Sequence, residues 1–317
     1  MTRSQIEYIL AVGNLKSFGK AAAACFVTQS TLSTMVAKFE KQIGIKLFNR
    51  KNKPISITPQ GENIIKSLQS IQREFQLLDE NINELKGIEH GKVSLACIPT
   101  VSPFLYPLIL NKVSEEFEQV NFSIHEFTTE KIIQEIISGN LDIGIVSTPL
   151  ENKNLIEHPL YHEDFLLYDC GKNSSKNIQQ GTQIDFERLW LLEEGHCLRN
   201  QISEICELRA QKKISSNLTY NCGTLYTLVE MVKINKGVTL LPRLSLVKNK
   251  YIKKENVYPL SDPVPAREIG LIVHKNFVKK RILKYLIESI KKVTAPYLKN
   301  IPLDKKIVKP FNSDTAF

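Results

Sequence analysis

The chain has 317 residues, enough for two or three units with separate cores, and its 42% hydrophobic and 24% charged residues are typical of a globular protein. No apolar run is long enough to cross a bilayer, and Met1–Gln5 lacks the apolar stretch of a signal peptide, so a cytoplasmic protein with no membrane partner and mostly reduced thiols is expected. The net charge of +9 is uneven: residues 1–60 carry nine Lys and Arg against Glu7 and Glu40, a net +7 that points to a polyanion bound at that end.

Ile6, Ile9 and Leu10 share one face of a first helix, predicted over residues 4–13 and ending near Gly13. Ser17 can cap a second helix through Phe18–Cys25, whose four alanines admit a close neighbour. A turn at Phe26 and Val27 leads to a third helix from about residue 28 to 42, with Leu32, Val36 and Phe39 inward. Gln29, Ser30, Thr31, Ser33 and Thr34 make its outward end short and polar, with Lys38 one turn on. This helix-turn-helix pattern suits the major groove of double-stranded DNA, where Gln pairs with adenine and Ser or Thr reaches phosphates and base edges. Residues 46–58 read as two short strands with Arg50, Lys51 and Lys53 at a basic tip, a wing set against phosphates.

Thr58 and Pro59 suit the start of another helix. Its apolar residues Ile64, Leu68, Ile71, Phe75, Leu78, Ile82 and Leu85 are spaced alternately by four and three, a heptad stripe that implies a second copy of the chain, the alternative being a helix packed on its own body. Paired chains would offer two recognition helices to two-fold related half-sites. Gly87 and Gly91 end this linker.

From residue 92 short apolar runs alternate with amphipathic stretches. Strands are predicted at 93–98, 122–127 and 141–146, and helices near 105–117 and 130–138, which makes a parallel or mixed sheet covered by helices. Thr100 and Thr129 each follow a strand, where such sheets bind ligands. A second lobe is predicted from about Asp164, with Leu189–Leu192, a strand at 218–222, a helix at 224–235 and the run 237–242. The strand 269–273 and the helix 277–293 return to the first lobe, and residues 301–317 read as a patternless, mobile tail.

Glu194-Gly195-His196-Cys197-Leu198-Arg199 sets a thiol beside an imidazole and two residues from a guanidinium, and Cys206 follows nine residues after that thiol. Nearby positive charge favours the thiolate that attacks oxidants, and a second thiol can trap the resulting sulfenic acid. From these residues alone, both thiols read equally well as small buried hydrophobes, as do Cys25, Cys97, Cys170 and Cys222. His196, Cys197 and Cys206 lack the close ligand pairs of a zinc site, so no metal is expected.

Phe18–Ala22, Gln29–Ser33, Leu47–Arg50 and Thr58–Gly61 resemble the winged helix-turn-helix of LysR-type regulators, with Ser30 where that family usually has proline. Ile98–Val101, Ser138–Asp142, Glu194–Arg199, Cys206, Thr239–Pro242 and Arg267–Leu271 extend the resemblance over nearly the whole chain, and to the peroxide sensors of that family. The resemblance implies an α/β fold joined to an all-α-type winged helix-turn-helix at residues 1–58 by a coiled-coil linker helix at 59–89. A two-lobed, periplasmic-binding-protein-like effector domain follows at 90–300, with lobe I at 90–163 and 268–300, lobe II at 164–267, and a tail at 301–317. It further implies a non-enzymatic activator of oxidative-stress genes, a homodimer or homotetramer that meets RNA polymerase and needs no cofactor. Cys197 would be the peroxide-reactive thiol and Cys206 the resolving one, with Thr100, Val101, Thr129, His196 and Arg267 around hydrogen peroxide. Asn200 departs from the usual aspartate, which bears on proton delivery to the leaving hydroxide, and Cys97 and Cys222 add thiols near matched motifs.

In a straight helix over 197–206 the two cysteine Cα atoms would stand about 13.5 Å apart on opposite faces. A disulfide needs about 4.4–6.8 Å. Oxidation is therefore expected to reshape this segment and re-register the subunits on DNA. The competing readings are a LysR-type regulator with a small organic effector in the same cleft, and a thiol peroxidase, which would leave the helix-turn-helix without a purpose.

Overall fold

The computed structural model describes residues 1–86, 90–171, 184–206, 222–247, 249–261, 263–298 and 305–310, and it divides into two compact units, Met1–Ile88 and Glu89–Phe317. In the first unit α1 (Arg3–Leu15), α2 (Phe18–Ala24) and α3 (Gln29–Ile43) enclose Ile6, Ile9, Val12, Leu32 and Val36. Each helix starts on a hydroxyl: Thr2, Ser17 and Thr28 accept from the backbone N–H of Gln5, Lys20 and Thr31. The first helix does not end at Gly13 but runs to Leu15 and closes on Lys16 in the left-handed conformation. An interior glycine costs a helix about 1 kcal/mol, less than the roughly 1.5–3 kcal/mol gained by burying the adjacent Val12.

β1 (Phe48–Asn49) and β2 (Ser56–Ile57) pair antiparallel as the wing. Thr58 Oγ1 then accepts from Gly61 N at 3.0 Å at the start of α4 (Pro59–Leu85). A Cβ on Gly61 would stand 2.6 Å from the Leu47 carbonyl oxygen, so only glycine lets α4 pass the wing this closely. The heptad stripe divides along α4. Leu68 is buried in this unit's own core with Ile64, Ile71 and Phe75 against it, whereas Leu78, Ile82 and Leu85 are exposed. The expected stop at Gly87 lies outside the described residues.

The second unit is built on one sheet in the order β4-β3-β5-β9-β6-β7. β3 (Gly91–Cys97) runs parallel to both β4 (Val120–Glu126) and β5 (Ile143–Thr148), and β9 (Val264–His274) lies antiparallel to β5. β6 (Leu155–Asp169) pairs with β9 from Leu155 to Asp164, and from Phe165 onward with β7 (Val238–Pro242). β8 (Val257–Pro259) joins that second half of β6. Two cores result. Leu95, Ile132, Ile145 and Leu271 lie in the first, beneath α5 (Ser102–Glu116), α6 (Thr129–Ser138) and α9 (Lys280–Thr294). Phe165, Leu167, Leu228 and Leu240 lie in the second, with α7 (Cys197–Ile205) and α8 (Leu225–Ile234). This is a mixed α/β domain of two lobes that share β6 and β9.

Two elements differ from the sequence reading. β6 is a single strand of 15 residues, although Pro159 and the acidic pair Glu163-Asp164 interrupt its apolar pattern. A register shift between Pro159 and Tyr161 accommodates the proline, and the acids are paired, Glu163 with Arg267 and Asp164 with Arg243. The tail is also not patternless: β10 (Lys305–Ile307) adds parallel to β9, and Val308 beyond it is buried. Its short alternation was hidden among lysines, and its partner is an edge supplied by a strand far away in sequence. Residues 301–304 and 311–317, and the predicted strand before Cys222, lie outside the described residues. Among the described residues no helix is long and apolar enough to cross a membrane.

Candidate functional site

Gly195, at φ 93°, turns the chain into α7 in a conformation that favours glycine. His196 takes the N-cap position and Cys197 is the first helical residue, 3% exposed. Thr129, the first residue of α6, donates from Oγ1 to the Cys197 sulfur at 3.7 Å. Two helix N-termini therefore meet at this sulfur, each with unpaired N–H groups and a partial positive charge.

Thr100 lies in the buried turn after β3, next to fully buried Val101. Arg267, on β9, donates from Nη1 to Thr100 Oγ1 at 3.1 Å and from Nη2 to the Thr100 carbonyl at 3.4 Å. With its oxygen accepting from the guanidinium, the Thr100 hydroxyl is left to donate elsewhere. Arg267 is itself fully buried and is held by Glu163, with Nε and Nη2 at 3.0 and 2.9 Å from Oε1. Glu163 Oε2 accepts from Leu244 N at 2.8 Å. Such a pair is tolerable in a core because further hydrogen bonds complete it.

The sequence-selected residues thus form two contacting pairs, Thr129 with Cys197 and Thr100 with Arg267. Cys97, at the end of β3, senses both pairs: burial pushes its thiol well above the ordinary range, Glu126 and Cys197 add to the rise, and Arg267 opposes it. His196 is nearly buried, with Nε2 at 3.9 Å from Glu193 Oε1. Burial lowers its pKa and Glu193 works against that shift. Arg199 turns away from the thiol and donates from Nη1 to the Leu192 carbonyl at 2.7 Å.

Cys206 caps the far end of α7 and lies in the second core, its thiol pushed up to about 12 by burial. Cys197 belongs to the first core. All six thiols are free. Among the described residues no three His, Cys, Asp or Glu side chains are grouped to hold a metal.

On the basic unit Gln29, Ser30, Thr31, Thr34 and Lys38 are exposed along α3, as are Lys51 and Lys53 on the wing. Arg50 is engaged within the unit. It donates to Ser33 Oγ at 3.0 Å and to buried Glu40 at 3.2 Å, and it covers the Phe18 ring at 4.7 Å. Glu40 in turn accepts from Leu47 N at 2.8 Å and Phe48 N at 3.3 Å. Sequence reasoning missed Glu40 and Glu163. The sequence carries little signal for either, since Glu40 is followed by Lys41 and Glu163 stands between His162 and Asp164.

Residues 4–62 match the model of the bacterial regulatory helix-turn-helix protein, lysR family, and residues 86–295 match the LysR substrate binding domain. The chain belongs to the LysR family. This LysR-type protein is a DNA-binding transcriptional regulator and not an enzyme. It is 30% identical over 296 residues to the HTH-type transcriptional regulator EstR of Acinetobacter baylyi, covering 92% of this chain and 96% of that one. It is 30% identical to the hydrogen peroxide-inducible genes activator of Haemophilus influenzae, covering 86% of this chain and 90% of the relative. With the dual regulator OxyR of Escherichia coli it shares 29% identity, covering 92% and 95%. Full-length OxyR of Pseudomonas aeruginosa, solved as a variant, superposes with a TM-score of 0.72 at 27% identity, over 92% of this chain and 98% of that one.

Proposed function

We propose that this LysR-type regulator senses hydrogen peroxide at Cys197 and is switched to an activating form by a Cys197–Cys206 disulfide. The observation that carries the reading is a buried thiol at a helix N-terminus, in hydrogen-bond contact with Thr129, in a domain whose Thr100 hydroxyl is oriented by Arg267. The Cys197 thiolate attacks one peroxide oxygen, the O–O bond breaks, and the departing hydroxide takes a proton to become water. The sulfenic acid is then attacked by the Cys206 sulfur, which releases a second water and closes the disulfide. Peroxide is reduced by two electrons and the two thiols are oxidised by two. Thr100 and Thr129 orient the oxygens, Val101 walls the pocket, and His196 and Arg267 complete its polar lining. The peroxide-inducible activators among the relatives support the same reading.

In this reading the regulator works in the cytoplasm as a homodimer or homotetramer. It binds promoter DNA with two-fold related half-sites through α3 and the wing, and activates oxidative-stress genes through RNA polymerase. Leu78, Ile82 and Leu85 form the exposed seam for a second copy.

Treatment of the reduced protein with one equivalent of hydrogen peroxide, followed by peptide mass spectrometry, tests the chemistry. A Cys197–Cys206 bond that is missing in Cys197→Ser is the expected result, and unreactive thiols overturn it. An equal similarity to EstR, which is not named as a peroxide-inducible activator, leaves a second reading, a small organic effector in the same cleft, under which Cys197→Ser leaves the response intact.

A further inference from the structure

The middle of α7 is tied to a segment that the peroxide chemistry does not use. Gln201 is fully buried, and its Nε2 donates both to Ser147 Oγ at 3.0 Å and to the Val308 carbonyl at 2.9 Å. Only the amide nitrogen can face that carbonyl, because the amide oxygen has no proton to give. One residue earlier, Asn200 Nδ2 donates to the Pro310 carbonyl at 3.4 Å. A carboxylate at position 200 could not make this bond. The segment receiving both bonds is itself anchored: β10 pairs with Val264–Ala266 of β9, Val308 N donates to the Ala266 carbonyl at 2.8 Å, and Lys309 Nζ meets Glu151 at 2.7 Å.

Asn200 and Gln201 lie between the two thiols, in the stretch that must leave the helix before Cys206 can reach Cys197. Gln201 Oε1 meanwhile is buried with no hydrogen-bond partner among the described residues. Unwinding α7 gives that oxygen to water, so part of what the helix loses is offset by hydration of an atom left unpaired in the folded form.

We propose that Lys305–Pro310 is a clasp on the reduced switch, with Gln201 as the positioning residue through which it grips α7. The clasp holds α7 helical until Cys197 is oxidised, and closure of the disulfide releases it. This assignment rests on the disulfide reading for its trigger but not for the grip itself. In effect the C-terminal strand sets how readily the sensor responds.

The test compares the full chain with a version ending at Asp304 and with Gln201→Met, which keeps the volume and removes both hydrogen bonds. Should the truncated chain fail to fold, Gln201→Met carries the comparison. Amide exchange of 198–206 is followed by mass spectrometry without peroxide, and the rate of Cys197–Cys206 closure with it. Loss of one or two buried hydrogen bonds is expected to speed both by about five- to tenfold. Exchange of 305–310 in the full chain is expected to rise on oxidation, and not in Cys197→Ser. Unchanged α7 exchange in both variants overturns the clasp, as does a disulfide that forms while 305–310 stays protected. Faster α7 exchange with no disulfide in any protein supports the grip and sinks the disulfide reading alone.

Discussion

Cys197 opens α7 and Cys206 closes it, and the two thiols are buried in different hydrophobic cores. A nine-residue helix cannot bring its two ends together by a side-chain rotation. Any bond between them takes at least one sulfur out of its core and breaks the helix between. The thermodynamic resistance of the reduced state is therefore built from ordinary packing, and the energy to overcome it comes from oxidation.

Burial makes the Cys206 thiol slow toward alkylating reagents. With its pKa raised from 9.0 to about 12, Cys206 has roughly a thousandfold less thiolate at pH 8 than an unperturbed thiol. Iodoacetamide labelling of the reduced protein at pH 8 is expected to spare Cys206 in buffer and to modify it readily in urea. Equal labelling in both would show that α7 is open without oxidant.

Arg267→Met is expected to destabilise the second unit by about 3–5 kcal/mol, because it leaves Glu163 charged and unpaired in a core. Adding Glu163→Gln should recover part of that loss, since the amide oxygen still accepts from Leu244 N. Urea unfolding of the two variants decides the point. The double variant is expected to fold and still react slowly with peroxide, as Thr100 has lost its guanidinium partner.

Acid weakens the fold through His196. Its pKa in the folded protein is lowered, by burial first, while the unfolded chain keeps the ordinary 6.5. The unfolded state thus binds more protons below neutrality, and stability falls as pH drops from about 6.5 through the lowered value. His158 and His162 are lowered as well, so His196→Gln should flatten the decline between pH 7 and 5 without abolishing it. Urea midpoints across that range measure it, and an unchanged slope refutes the role.

The wing carries two exposed lysines, Lys51 and Lys53, and one arginine, Arg50, held within the unit. Lys51→Ala and Lys53→Ala are expected to leave stability unchanged and to reduce the salt dependence of binding to duplex DNA by about 0.9 each, one released counterion apiece. Arg50→Ala should instead cost about 1–3 kcal/mol of stability, because Glu40 loses its guanidinium partner. Anisotropy titrations at several salt concentrations, with unfolding curves beside them, distinguish the two classes.

The helix-turn-helix was legible because its signals are local: the Ser17 cap, a stripe of Leu32, Val36 and Phe39, and a cluster of basic residues on the wing. Thr100 and Thr129 were singled out for their places just after strands and Cys197 for its charged neighbours, and the structure sets Thr129 against Cys197 and Thr100 against Arg267. What escaped was what depends on distant partners. β6 hides behind Pro159 and Glu163, and the proline is excused by the register shift against β9 and the acid by Arg267, 104 residues away, and the backbone of Leu244. β10 shows too short an alternation to read among its lysines, and the edge it joins is made by Val264–Ala266. The stripe on α4 looked uniform, yet half of it is consumed by the core beneath.

β6 and β9 carry one further consequence. A chimera that exchanges the DNA-binding unit cuts the chain once, between the two compact units. One that exchanges the second lobe must cut the chain twice, in β6 near Asp164 and in β9 near Arg267, and both cuts fall inside continuous strands beside the Glu163–Arg267 pair. The address that this protein reads on a chromosome is thus a portable module. The part that would answer a signal is woven into the cloth, since exchanging its second lobe cuts two strands in mid-run.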